Sequence, residues 1–211
     1  MVRFITFEGG DGTGKSTKIR ALENYLVHRG YSCVITREPG GTALGKLIRK
    51  VLLEAGGHEI ASSTELFMYL ADRAQHVSEV ILPAIEAGKI VLCDRFTDST
   101  MAYQGYGRGI ELRLLRQLND LADQGFRPDL TFLFDCPASV GLGRTARRKN
   151  ETGRHHEDRF ELEKIEFHEK VRAGFLELAR GAPQRFRILD ATRPIEEVTL
   201  AIKKIVEEEI L

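Results

Sequence analysis

Short apolar runs alternate along the chain with longer stretches of helical period. The runs are Val2–Glu8, Ser32–Thr36, Ile90–Asp94, Leu130–Cys136 and Phe186–Asp190. They are almost wholly apolar rather than alternating, the pattern of strands buried on both faces. Between them, apolar residues recur at three- and four-residue spacing. Ile19, Leu22 and Leu26 follow the first run, and Leu66, Leu70, Val77, Ile81 and Ile85 mark a long helix before the third. Leu115, Leu118 and Ala122 precede the fourth, Val171, Phe175 and Leu178 precede the fifth, and Ile195, Val198, Ile202 and Ile205 close the chain. Strand–helix alternation of this kind predicts an α/β fold, a parallel sheet of five strands with helices on both faces. No repeat or low-complexity linker interrupts it, so the reading is one domain over 1–211. Arg144–Arg159, RTARRKNETGRHHEDR, breaks the pattern and reads as a mobile polar insertion between two helices, a lid over about 143–159.

The first strand runs into Gly9–Ser16, GGDGTGKS, which matches G-x-x-x-x-G-K-[ST], and an amphipathic helix follows at once. Gly9, Gly10, Gly12 and Gly14 allow backbone N–H groups to turn inward around an anion, and the helix start adds its positive end. Lys15 is expected on the β- and γ-phosphates and the Ser16 hydroxyl on Mg²⁺. Asp11, Thr13 and Thr17 complete the stretch expected to hold ATP. This strand–loop–helix points to a P-loop NTPase fold.

Four further segments bear on what receives the phosphate. TREPGGT (Thr36–Thr42) follows the second strand, and Glu38 and Pro39 stand where an open sheet binds ligands; an ordinary turn has the same composition. Tyr69 and Arg73, in YLADR, share a helix face and suit a flat base, or else a packed ring beside a solvated cation. Asp94 ends a buried strand and suits Mg²⁺ or its waters, while Arg95 suits a phosphate; a strand-end ion pair is the plainer reading. DSTMAYQGYGRG (Asp98–Gly109) reads as a loop whose hydroxyls, amide and aromatics suit a small polar ligand, or simply as an exposed loop.

Charge narrows the partners. Lys+Arg and Asp+Glu both number 31, which argues against a broad nucleic-acid surface. The balance hides an excess of about +3 within Arg144–Arg159, suited to one ligand carrying several phosphates. No run of about 18 apolar residues is present and the start, MVRFITFEGGDG, lacks a signal-peptide pattern, so no membrane partner is expected. Cys33, Cys93 and Cys136 sit in or at the end of apolar runs and read as buried thiols of a reducing cytoplasm. Guanine-reading N-K-x-D is absent, which counts against a GTPase switch; a motor-type or partitioning ATPase, which would hydrolyse ATP without an acceptor, stays open, while Lys15, Ser16, Asp94 and Arg95 together argue against a catalytically silent binding module.

Taken in order, FEGGDGTGKST, TREPGGT, YLADR, DRFTDSTMAYQGYGRG, FRPDLTFLFD and RHHEDRFE resemble the thymidylate (dTMP) kinases of the bacterial type, over essentially the whole chain. The resemblance implies transfer of a phosphoryl group from ATP–Mg²⁺ to dTMP, giving dTDP and ADP for dTTP synthesis, and a homodimer whose interface involves the helices around Ala71–Ile85. The alternative is a P-loop kinase for another nucleoside monophosphate or a deoxynucleoside. By resemblance, Asp11 contacts the sugar 3′-OH, Tyr69 stacks on thymine and Arg73 hydrogen-bonds it. Arg49 and Arg95 clamp the dTMP phosphate, Thr100 and Gln104 read the base, Tyr103 crowds the sugar 2′ position and Ser99 lines the same pocket. Some relatives carry a catalytic arginine inside the phosphate loop; here that position is Gly12, so Arg148 of the lid is expected as the catalytic cation beside Lys15 and Arg95. Arg144 is expected against the adenine, with Thr192 at its edge.

Overall fold

The computed structural model describes residues 2–53, 59–152 and 159–209. Five strands form one parallel sheet: β1 (Phe4–Glu8), β2 (Cys33–Arg37), β3 (Ile90–Asp94), β4 (Leu130–Asp135) and β5 (Phe186–Asp190), in the spatial order β2-β3-β1-β4-β5. All five expected strands are present. β1 begins at Phe4 rather than Val2. The expectation of burial on both faces holds for β1 and β3. It fails at the edge strands, where Ile35 on β2 and Ile188 on β5 face outward. An edge strand lacks a neighbouring strand on one side.

Period-2 alternation on β1 divides the core. Ile5 and Phe7 pack with Phe132 and Phe134 of β4 beneath α1 (Lys15–His28) and α9 (Ile195–Glu209). Phe4, on the other face, packs with Val91, Cys93 and Phe96 and with Val77 and Ile81. Each buried side chain of this size contributes about 1.5–3 kcal/mol. On α9 the inward stripe is Val198, Ile202 and Val206, while Ile195 is 50% exposed, because the stripe begins one turn into the helix.

The remaining helices are α2 (Ala43–Leu53), α3 (Ser62–His76), α4 (Leu82–Glu86), α5 (Thr97–Thr100), α6 (Leu112–Ala122), α7 (Ala138–Thr152) and α8 (Ile165–Gly181). A π-helical turn, Val77–Ile81, joins α3 to α4, so the expected long helix is continuous but widened at its middle. A second π-helical stretch, Met101–Gly107, continues α5. Asp98–Gly109 is thus largely helical, not a loop. Its glycines answer to packing: a Cβ on Gly105 would stand 2.5 Å from Leu112, and one on Gly107 2.6 Å from Phe167. The expected lid insertion is also corrected in part. Residues 144–152 are the second half of α7, so Arg144, Arg147 and Arg148 are carried on a helix. Arg154, Glu157, Asp158 and the rest of 153–158 lie outside the described residues.

The carboxyl ends of the strands gather Glu8, Arg37, Asp94, Asp135 and Asp190 on one side of the sheet. Ligands of open α/β sheets bind outside this edge.

Candidate functional site

A single cleft of about 710 Å³ opens at that edge. It runs from Arg144, Thr192 and Arg193 at one end, past Gly12–Lys18 of the phosphate loop, to Tyr69, Arg73 and Gln104 at the other. Every residue expected at the site lines it except Gly9 and Gly10, which form the rear wall of the loop. Asp94, Arg95, Glu38, Pro39, Arg49, Ser99, Thr100 and Tyr103 line its middle.

The loop leaves β1 through Gly9, whose φ of 130° and close approach to the Phe134 carbonyl exclude any side chain. Gly14 takes the N-cap position of α1 at φ 77°, no side chain caps the helix, and its first turn holds no acidic residue. The positive end of α1 therefore faces the cleft. Lys15 Nζ donates to the carbonyls of Gly10 at 2.8 Å and Gly9 at 3.1 Å. Burial, and then the nearby Arg95 charge, push its ammonium down to about 8. Thr13 turns inward and donates to the Gly10 carbonyl at 3.0 Å, which makes it a loop brace. The Ser16 hydroxyl donates to Asp94 Oδ2 at 3.1 Å. One hydroxyl and one carboxylate at the lip of a phosphate cradle are hard oxygen donors. They fit Mg²⁺, which takes one or two such groups and fills its remaining positions with water and phosphate.

Arg95 sits at φ 70°, an uncommon conformation for a side chain of this size. Its backbone N–H donates to the Phe7 carbonyl, and its guanidinium donates to the Gly9 carbonyl (3.0 Å), Ser99 Oγ (3.2 Å) and Asp11 Oδ1 (2.6 Å). It also lies over the Tyr103 ring, 5.1 Å from the centroid. Burial alone raises the Asp11 carboxyl, but Arg95 and Lys15 outweigh it and hold the group below its ordinary value. Behind them lies Glu8, fully buried, which accepts from the Phe96 N–H at 2.7 Å and from Ser99 Oγ at 2.6 Å. Burial, and then the Asp98 charge, push Glu8 up to about 8.

At the far end, the Glu38–Pro39 peptide is cis, and Arg49 Nη1 donates to the Pro39 carbonyl at 3.0 Å. Arg73 is only 1% exposed. It donates through Nε to Glu38 Oε2 (2.9 Å) and through Nη1 to Thr100 Oγ1 (2.9 Å) and Asn119 Oδ1 (2.7 Å). Glu38 also pairs with His76 Nδ1 at 2.9 Å, and His76 Nε2 meets Thr36 Oγ1 at 2.5 Å. Asp72 accepts from the Gly40 N–H at 3.0 Å, its other oxygen is buried without a partner, and burial followed by the Glu38 charge raises it to about 6. Gln104 Nε2 donates to Glu65 Oε1 at 2.8 Å, and Glu65 also receives Arg159 at 2.5 Å and Arg108 at 3.4 Å. Phe160 closes the pocket, edge-on to Tyr103 (5.5 Å) and tilted against Tyr69 (6.5 Å).

On α7, Arg144 Nη1 donates to the Ala191 carbonyl at 2.7 Å, and Arg148 lines the cleft one turn further along. Arg147 pairs with Glu151 at 3.5 Å and is largely exposed. The Thr192 hydroxyl donates to Asp190 Oδ1 at 2.5 Å. Glu8, Glu65, Asn119, His76 and Phe160 were not singled out from the sequence. Only Glu8 carried a usable signal, as a carboxylate at the end of a strand buried on both faces.

A family model described as thymidylate kinase matches residues 7–202. A thymidylate kinase of Desulfovibrio desulfuricans is 53% identical over 205 residues, covering 97% of this chain and 94% of that one. One from Pelobacter propionicus is 54% identical over 202 residues, covering 96% and 92%. The crystal structure of thymidylate kinase from Ehrlichia chaffeensis superposes with a TM-score of 0.77 at 37% identity, covering 97% of this chain and 98% of that one.

Proposed function

The chain belongs to the thymidylate kinase family, and on that premise we propose how its residues divide the work of moving a phosphoryl group from ATP to dTMP. The protein is a dTMP kinase of the P-loop fold that produces dTDP and ADP. One observation carries the division of labour. A single cleft joins the α7–β5 end, the phosphate loop and the Tyr69–Gln104 end, so two ligands lie head to head across Lys15 and Arg95.

ATP takes the loop side. Gly9, Gly10, Asp11, Gly12, Thr13, Gly14, Lys15, Ser16 and Thr17 form its phosphate cradle, while Arg144 and Thr192 border the adenine. dTMP takes the other side. Tyr69 stacks on the base, Arg73, Thr100 and Gln104 present hydrogen-bonding groups to it, Tyr103 and Ser99 flank the sugar with Asp11, and Arg49 and Arg95 hold the phosphate near Glu38 and Pro39. Arg73 has committed most of its donors to Glu38, Thr100 and Asn119. It offers the base a single remaining N–H held in a fixed plane, which favours selectivity over strength. Ser16 and Asp94 would hold Mg²⁺, which would offset charge on the transferred group.

Two anionic phosphates repel, and the transfer passes through a loose transition state with little covalent work for the protein. Lys15, Arg95 and Arg148 supply positive charge where it is needed. No general base is required, because the dTMP phosphate is already an anionic nucleophile. The lid, read over about 143–159 and carrying Arg144, Arg147 and Arg148, would exclude water on closing.

The chain is read as a single kinase domain over 1–211 that works in the cytoplasm. Among the described residues no helix is long and apolar enough to cross a membrane, and the three cysteines are free. The reading as a homodimer rests on exposed apolar residues of three neighbouring helices: Leu44, Leu47 and Val51 on α2, Phe67 on α3, and Leu114 and Leu121 on α6. Within Ala71–Ile85, Val77 and Ile81 are committed to the core, while Val80, Leu82 and Ile85 are half-buried.

A panel of nucleoside monophosphates and deoxynucleosides with labelled ATP tests the assignment. dTMP is expected to have the highest kcat/KM. A different preferred acceptor overturns it.

A further inference from the structure

Gly12 and Gly141 lie far apart in the chain and meet backbone to backbone. Gly12 stands at φ 72°, and a Cβ built there falls 2.7 Å from the Gly141 carbonyl carbon and closer still to its oxygen. From the opposite side, a Cβ on Gly141 presses on the Asp11 carbonyl oxygen and comes 3.6 Å from Cys136 Sγ. The nearest obstacles are main-chain atoms that cannot swing aside. Gly143, two residues further along α7, has nothing within 4 Å of the same built atom, so the constraint belongs to one face of the helix. The first turn of α7 therefore rests directly on the phosphate loop.

We infer that Gly12 and Gly141 are a positioning pair that seats α7 on the loop, and so sets where Arg144 and Arg148 enter the cleft. Those arginines lie about one and two turns beyond Gly141. A methyl group on Gly12 has to open the contact by about 1 Å to restore ordinary contact near 3.5 Å with the Gly141 carbonyl carbon, and one on Gly141 by about as much to clear the Asp11 carbonyl oxygen. The loop has little room to retreat, because a Cβ on Gly9 would press on the Phe134 carbonyl oxygen on the other side. The displacement passes to α7 and its arginines. This step rests on the assignment of Arg148 to the transferred phosphate.

Steady-state kinetics of Gly12→Ala, Gly141→Ala and Gly143→Ala, with dTMP binding measured by calorimetry, test the pair. A displacement of about 1 Å costs on the order of 10²-fold in rate. Gly12→Ala and Gly141→Ala should lose kcat on that scale with KM and Kd for dTMP unchanged, while Gly143→Ala retains the parent kcat. Binding of ADP with aluminium fluoride and dTMP, a mimic of the planar transferred group, should weaken in step with kcat. Parent-like kcat in both variants overturns the proposal. So does a loss shared equally by kcat and dTMP affinity, or failure of both variants to fold, either of which leaves the contact a stability feature alone. Arg148→Ala run alongside separates the two claims. If it slows turnover while the glycine variants do not, the pair fails and the arginine assignment stands. If only the glycine variants slow turnover, the pair stands and positions a different group.

Discussion

Arg95 Nη2 donates to Asp11 Oδ1 at 2.6 Å, so the residue assigned to the dTMP phosphate and the one assigned to its sugar form a single ion pair. The pair is partly solvated, which limits what it adds to stability. Its larger effect is to fix both groups at one spacing before ligand arrives. Asp11→Asn keeps the shape and removes the charge. A hydrogen bond to a charged group is worth about 1.5–3 kcal/mol, so KM for dTMP should rise on the order of 10- to 100-fold. kcat should change less. An unaltered KM for dTMP removes Asp11 from the acceptor site.

Lys15 is held down to about 8 by burial and by Arg95. In the unfolded chain it titrates near 10.4. The folded, ligand-free protein therefore binds fewer protons between about pH 8 and 10.4, and over that window this group makes stability rise with pH. Triphosphate reverses the balance by favouring the ammonium. ATP binding near pH 9 should draw a proton from the buffer, and affinity should fall as pH rises through the window. Calorimetry in two buffers of different ionisation enthalpy measures the uptake. Lys15→Met should abolish both the uptake and phosphoryl transfer. Proton uptake that persists in that variant assigns it to another group.

Glu8 illustrates a buried acid that works as a hydrogen-bond acceptor frame. It holds the Phe96 N–H and Ser99 Oγ, and Ser99 in turn meets Arg95. With its carboxyl raised to about 8, the folded state binds more protons than the unfolded between about pH 4.5 and 8. The cost of ionising it enters as pH rises through that range and is complete above it. Glu8→Gln should retain most activity at pH 7, with its amide oxygen accepting from Phe96 and its NH₂ donating to Ser99. Its melting temperature relative to the parent should improve from pH 6 to pH 9. Glu8→Ala leaves the Phe96 N–H unpaired and should cost about 1–3 kcal/mol. Parallel pH–melting curves for parent and Glu8→Gln would show that this carboxyl does not titrate in the range.

The strands, the phosphate loop and most of the cleft were legible because each is written locally. Apolar runs, a glycine pattern and strand-end charges need no knowledge of distant neighbours. The partners that hold these groups were not. Asn119 and Glu38 take Arg73 from two different elements, and Glu65 takes Gln104 across 39 positions, so no short window contains both members. Asp98–Gly109 was misread for a related reason. Glycine usually marks a turn, but Gly105 and Gly107 are small here because Leu112 and Phe167 pack against a helical backbone. The charged run at 144–152 reads as a polar insertion because its residues coat a helix that has little core to face.

Arg148 lines the cleft from α7, exposed rather than buried. A cation that stabilises only the transition state contributes to kcat and little to ground-state binding. Arg148→Ala should therefore slow turnover by about 10³- to 10⁵-fold with KM for dTMP nearly unchanged, the magnitude known for arginines that act on a transferring phosphoryl group. Arg147→Ala, which removes an exposed arginine paired with Glu151, should have a much smaller effect. Equal losses in the two variants assign the effect to the charge of the helix rather than to one finger.

Tyr103 is held from three sides. Its hydroxyl reaches toward Asp11 Oδ2 at 3.5 Å, its ring carries the Arg95 guanidinium, and Phe160 and Phe175 pack against it edge-on. A ring so fixed cannot retreat from an added 2′-hydroxyl, so it discriminates by shape. Tyr103→Phe keeps the ring and the Arg95 contact and should retain the preference for the deoxyribose substrate over its ribose analogue. Tyr103→Ala opens the space and should relax that preference by about 10- to 100-fold, on the scale of a lost steric contact in a substrate pocket. Because Arg95 also loses the face it rests on, kcat should fall as well. Competition between dTMP and ribothymidine monophosphate measures the ratio directly, free of any common loss of rate. Undiminished discrimination in Tyr103→Ala would transfer the sugar preference to Asp11 and Ser99, the other groups that flank it.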